Sequence, residues 1–147
     1  MKHTIIRLPE TNSTSSYLRI LQQERRQPEG CVVVADSQTA GRGQMGNSWE
    51  AENGKNLTFS VLFYPSHVCA SESFILSQAV SLAVVETFEA FGEDFRIKWP
   101  NDIYWREKKI GGILFENDLS GKFLDTSIVG IGLNINQEKF VSNAPNP

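Results

Sequence analysis

The last third of the chain constrains the fold more than any other part. Four apolar-rich runs, "FRIKW", "DIYWR", "KIGGILFEND" and "FLDTSIVGIGLNINQ", follow one another with only the turn-rich links "PN", "EKK" and "LSGK" between them. Links this short suit hairpins and not helical crossovers, so the runs read as successive antiparallel strands. Upstream, "TIIRL", "CVVVADS" and "NLTFSVLFY" also read as strands, the last with Leu57, Phe59, Val61 and Phe63 alternating onto one face.

Two helices interrupt the strands. A Ser/Thr/Asn cluster from Asn12 to Ser16 stands before Tyr17, Leu18 and Leu21, whose spacing suits one helical face. Ser71 to Phe91 reads as a long helix with a stripe of Leu76, Val80, Ala83, Val84, Phe88 and Phe91, stopped by Gly92. The order β-α-β-β-α-β-β-β-β predicts an α+β (mixed α/β) fold, a mostly antiparallel mixed sheet with helices packed mainly on one side. The final "EKFVSNAPNP" is polar and proline-punctuated and reads as the start of a further element.

A chain of 147 residues is sized for one domain, and 40% apolar with 21% charged residues is a globular composition. A net charge of −3 gives no electrostatic footprint for nucleic acid, so an anionic ligand must be met by a few local cations. Cys31 and Cys69 form neither a disulfide framework nor a paired metal motif and read as buried thiols. His3 and His67 lie far apart without ligand-like neighbours, so no metal site is expected. No stretch reaches membrane-span length and the N-terminus has no apolar leader, so the cytoplasm is the expected compartment.

Within "TAGRGQMGNSWE", Gly41 to Gly46 spell G-x-G-x-x-G. A dinucleotide fingerprint must open a helix, yet the residues after Gly46 carry no helical apolar period, and NAD is rejected. No Gly-Lys-Ser/Thr occurs, so the Walker pattern fails as well. By its residues alone the loop is equally a glycine-rich surface turn. Against that stands Arg42, a fixed cation flanked by residues that let an anion approach guanidinium and backbone N–H together. Trp49 can cover a planar group or serve as core.

Stripped backbone recurs on two strands. In "SIVGIGLNIN", Gly130, Gly132, Asn134 and Asn136 share one face and Ile131, Leu133 and Ile135 the other; "KIGGIL" adds Gly111 and Gly112. Glycine weakens a strand, so these positions mark either bulges and tight crossings or a ligand that comes close to the sheet. In "KWPND", Ile97 and Trp99 point one way, Arg96 and Lys98 the other. Lys98 is then a solvated edge residue or a cation positioned beside Pro100 and facing a ligand.

Taken together, "STSSYL", "QTAGRGQMGNSW", "KWPNDIYW", "KIGGIL" and "GIGLNIN", spanning residues 10 to 136, resemble a biotin protein ligase. The resemblance implies a catalytic domain like that of class II aminoacyl-tRNA synthetases and lipoate ligases. It further implies that biotin is activated to biotinyl-5′-AMP with ATP and Mg²⁺, then passed to a lysine of a biotin carboxyl carrier domain of a biotin-dependent carboxylase. By the same resemblance, Ser13, Thr14, Ser15 and Gln38 line the biotin pocket, with Ser13 and Thr14 at the ureido end and Gly112 under the rings. Arg42, Gly43 and Gln44 belong to an adenylate-gripping flap, Trp49 covers the adenine, and Asn134 reaches the nucleotide. Lys98 meets the biotin carboxylate and α-phosphate, and with Arg42 it is the expected catalytic pair. No enzyme nucleophile is needed, because the mixed anhydride is already activated.

Two positions depart from the family pattern. Ser15 stands where relatives often carry Asn, and Gln44 where many carry Arg. The family's small C-terminal β-barrel domain is not found in residues 1–147, nor is the N-terminal helix-turn-helix that makes some relatives repressors; DNA is therefore not an expected partner, while a homodimer is compatible. The alternatives are a lipoate- or octanoate-transferring ligase, which would not be expected to carry "GRGQMGNSW" and "KWPND" together, and a non-catalytic biotin-binding module.

Overall fold

The computed structural model describes residues 4–141. The elements follow the expected order: β1 (Ile5–Thr11), α1 (Thr14–Glu24), β2 (Val32–Gln38), β3 (Leu57–Phe63), α2 (Phe74–Glu89), β4 (Phe95–Lys98), β5 (Asp102–Trp105), β6 (Lys108–Ser120) and β7 (Phe123–Leu133). The strands form one sheet in the order β1-β2-β3-β7-β6-β5-β4. Only β1 and β2 run parallel, joined through α1; every other neighbour pair is antiparallel. His3 and most of the polar stretch at 138–147 lie outside the described residues.

The expected class and mostly antiparallel sheet are those of the structure, with one difference: the two helices lie on opposite faces. On one face Leu18 and Tyr17 of α1 pack with Val33, Leu62 and Ile128. On the other, Val85, Val84 and Phe88 of α2 pack with Phe59, Val129, Ile131 and Leu133. β3 therefore buries residues both ways: Thr58, Ser60 and Leu62 are buried toward α1, while Phe59 and Phe63 turn toward α2. The alternation of β3 is as expected, but its polar side is interior too. Each fully buried Leu here contributes about 1.5–3 kcal/mol. Of the two thiols, Cys31 is buried as expected, whereas Cys69 is only partly covered.

The α2 interface also differs in detail. Its buried residues are Ser77, Ser81 and Val85, spaced by one helical turn, while Ala83 is exposed and Phe91 is 84% exposed beyond the helix end. Small side chains let the helix approach closely, and Ser77 Oγ donates to Pro100 O at 3.0 Å. That bond ties α2 to the turn between β4 and β5. The same turn is fixed to β6, where Asn101 Nδ2 donates to Ile113 O at 2.8 Å and Ile113 N to Asn101 O at 3.0 Å. The Trp99–Pro100 peptide in it is cis.

Candidate active site

The cleft lies on the α1 face of the sheet, over a transverse row of residues set by strand register. Thr58 pairs with Gly132, Gly132 with Gly112, Gly112 with Asp102 and Asp102 with Lys98. Two adjoining members, Gly132 and Gly112, have no side chain, and the indole of Trp49 lies on them. A Cβ built on Gly132 would stand 2.5 Å from Trp49 Nε1 and 2.7 Å from Cζ2; one on Gly112 would stand 3.0 Å from Cζ3. Glycine at both positions is thus explained by a close approach to the sheet.

Trp49 is delivered by a folded hairpin. Trp49 N donates to Gly41 O at 2.9 Å and Gly43 N to Asn47 O at 2.6 Å, and Arg42 bridges Ser48. The turn between is a single 3-10 turn, Gln44–Gly46, with Met45 and Gly46 at positive φ (54° and 79°) and Met45 99% exposed at the tip. No helix opens there, in keeping with the rejection of a dinucleotide loop.

At one end of the cleft stands the start of α1. Ser13 caps the helix, and Thr14 N donates to Gln38 Oε1 at 2.8 Å, which leaves the Gln38 amide nitrogen for the cleft. Ser13, Thr14 and Ser15 are all buried. Two cations flank the floor over β6, separated along that strand. Lys109 Nζ lies 2.9 Å from Asp102 Oδ1 and 6.0 Å from the Trp49 ring centre. Arg42 reaches across to Glu116 Oε2 at 2.8 Å. Trp49 Nε1, against Gly132, is buried without a partner among the described residues, as is Asn134 Oδ1 beyond the end of β7.

Most of the expected residues are brought together. Ser13, Thr14, Ser15, Gln38, Arg42, Gly43, Gln44, Trp49 and Gly112 all line one cleft, together with Lys109, Asn101, Asp102 and Thr58. Lys98 and Asn134 stand outside that lining. Lys98 is on the cleft face, but its Nζ is 3.4 Å from Tyr104 Oη, and Asp102 lies between it and Gly112 in the row. β7 ends at Leu133, so Asn134 does not continue the glycine face; its backbone N donates to Ile110 O at 2.7 Å.

Sequence reasoning missed Lys109. Strict alternation along β6 groups Lys109 with Gly111, away from the cleft. Ile103 pairs with Gly111 and Tyr104 with Lys109, however, so Ile110 is an extra residue in β6. That bulge turns Lys109 back to the Gly112 side. A second residue missed is Ser60, fully buried beneath Thr14 and Ser15.

The model of the biotin/lipoate A/B protein ligase family matches residues 6–134. The chain belongs to that family. Among curated relatives of this ligase-family chain, the bifunctional ligase/repressor BirA of Bacillus spizizenii is 40% identical over 112 residues, which is 76% of this chain and 34% of that protein. The chain thus spans about a third of the length of the curated relative it matches. Among solved structures, the biotin acetyl coenzyme A carboxylase synthetase of Helicobacter pylori, with bound biotinylated ATP, superposes with a TM-score of 0.78 at 25% identity, covering 99% of this chain and 68% of that one. The biotin protein ligase of Aquifex aeolicus, in complex with biotin and ATP, gives 0.70 at 36% identity over 97% of this chain and 57% of that one.

Proposed function

We propose that the chain activates biotin with ATP to biotinyl-5′-AMP and passes biotin to a lysine of a biotin carboxyl carrier domain. The observation that carries this reading is the glycine floor under Trp49, bounded by the hydroxyls at the start of α1 and flanked over β6 by Lys109 on one side and Arg42 on the other. A flat aromatic group fits over backbone stripped of side chains. The indole seated there shows that the floor accepts a flat ring, and its buried Nε1 keeps an unpaired donor among the described residues. Hydroxyls and an amide at the start of α1 suit the ureido group of biotin, and a dithiolane or alkyl chain offers them no partner, which disfavours lipoate or octanoate.

The first step joins two anions: a biotin carboxylate oxygen attacks the α-phosphorus, and pyrophosphate leaves. Arg42 and Lys109 each rest on a carboxylate, Glu116 and Asp102, in positions that the phosphate groups of the substrate would take over. Lys98, on the same face with a flexible four-carbon stem, is a third cation for the developing charge. In the second step the carrier amine attacks the acyl carbon and AMP leaves, with no enzyme nucleophile. Trp49 and the hairpin exclude water from the anhydride. Magnesium is read as substrate, carried on the ATP phosphates; no group of three or more His, Cys, Asp or Glu gathers to hold it among the described residues.

Biotin-dependent exchange of pyrophosphate into ATP is the direct test, with lipoate and octanoate as controls. Exchange with biotin alone supports the reading. Binding of biotin without exchange assigns the chain as a non-catalytic module, and exchange with lipoate moves it to the sister activity.

A further inference from the structure

Behind the hydroxyls at the start of α1 lies a residue outside the lining of the cleft. Ser60, on β3, is 0% exposed, and its Oγ stands 2.8 Å from Thr14 Oγ1 and 2.9 Å from Ser15 Oγ. Thr14 and Ser15 line the cleft and are 2% and 4% exposed. Among the described residues, these two are the only partners of the Ser60 hydroxyl, and Ser60 is the only side-chain partner of each of their hydroxyls. The cross-strand neighbour of Ser60 is Gly130, and a Cβ there would stand 2.7 Å from Ser15 Oγ. The glycine therefore leaves room for this cluster of three hydroxyls.

A hydroxyl carries one proton and two acceptor sites. A fully buried Ser60 must give its proton to one of its two partners, since a buried unpaired O–H is costly. The chain of bonds then runs one way. One of Thr14 and Ser15 spends its proton on Ser60 and turns lone pairs to the cleft. The other accepts from Ser60 and keeps its own proton free for the cleft. Two neighbouring hydroxyls of like kind thereby become one acceptor and one donor.

We propose that Ser60 is a positioning residue for the urea edge of the substrate, fixing the complementary donor and acceptor that Thr14 and Ser15 present to an N–H beside a C=O. This rests on the biotin reading above and names a residue that sets its selectivity. Ser60 acts only through the two hydroxyls and does not touch substrate.

The test measures biotin and ATP affinity of the full chain by calorimetry. Ser60→Ala is made in the wild type and in a Thr14→Val/Ser15→Ala background, where Ser60 has nothing left to orient. In the wild type, Ser60→Ala is expected to weaken biotin about three- to tenfold, the worth of one hydrogen bond, with ATP affinity changed less than about twofold. In the background lacking both hydroxyls it should change biotin affinity less than about twofold, because coupled residues do not add. Equal losses for biotin and ATP, no loss at all, or the same loss in both backgrounds would overturn the proposal and leave Ser60 a packing residue. Should Ser60→Ala fail to melt cooperatively, Ser60→Cys keeps the volume with a weaker donor and is read by the same ratios. A wild-type chain that binds no biotin overturns the functional reading itself, before any variant is compared.

Discussion

Gly132→Ala tests the floor of the cleft directly. The three atoms nearest to a Cβ at that position all belong to the Trp49 indole, with Nε1 at 2.5 Å and Cζ2 at 2.7 Å. Real side chains do not tolerate such contacts, so a methyl group at position 132 and a seated Trp49 exclude each other. The cost is the smaller of two quantities: the strain of overpacking, about 1–3 kcal/mol, and the release of the indole from the floor, roughly 1.5–3 kcal/mol. Gly132 is not at positive φ, so with the indole removed the same substitution only replaces a flexible strand glycine by alanine. That should stabilise by about 0.5–1 kcal/mol. Gly132→Ala is therefore expected to change sign: destabilising by about 1–3 kcal/mol in the wild type and mildly stabilising in Trp49→Ala. Urea unfolding of the four chains gives the cycle. Trp99 is already 74% exposed and Trp105 38%, so acrylamide quenching of the remaining indole reports whether Trp49 has lifted. The same sign in both backgrounds would show that Trp49 does not rest on Gly132.

Lys98→Ala is expected to lower biotin-dependent pyrophosphate exchange by about two to three orders, roughly 3–4 kcal/mol, with far-ultraviolet circular dichroism unchanged; exchange within about tenfold of wild type would hand the role to Lys109. Gln44→Arg adds a second flap cation worth about 1.5–3 kcal/mol when paired with phosphate, so trapped biotinyl-adenylate should dissociate at least about tenfold more slowly, and equal off-rates would refute this. Burial raises the pKa of the Cys31 thiol, so the folded chain keeps a proton that the unfolded chain releases. Stability from this source is intact below the ordinary thiol range and is lost above it, by up to about 1.4 kcal/mol per pH unit; denaturant unfolding between about pH 8 and 10 should show a shallower decline in Cys31→Ala than in wild type.

Much of this is legible in the sequence because strands and turns write themselves locally. Every strand is marked by its apolar pattern, and the α1 start by its Ser/Thr/Asn cluster. The glycines at 112 and 132 announce a close approach to the sheet, though not that Trp49 is what lies there. What stays hidden depends on partners distant in the chain. Ser77 and Ser81 look polar, yet they face the sheet because a close helix contact needs small side chains and Pro100 O accepts a hydroxyl. Lys109 looks like a solvated hairpin lysine because a bulge, which no periodicity reveals, turns it into the cleft. The same register leaves Lys98 one strand too far from the lining. Ser60 sits on what reads as the outward side of β3, a reading that fails because the sheet is covered on both faces.

The position of β7 bears on how the chain reaches this state. The last described strand in sequence is central in the sheet, between β3 and β6. During synthesis from the N-terminus, β3 emerges with one edge unpaired and its next neighbour not yet made. The sheet grown from β1 and the hairpins grown from β4 each present a raw edge until β7 arrives to zip both. Such distant pairings are slow to form, and open edges invite pairing between chains. A nascent or partly unfolded molecule should therefore aggregate through β3 and β6, and a peptide copying residues 123–133 should compete for that slot while the chain refolds.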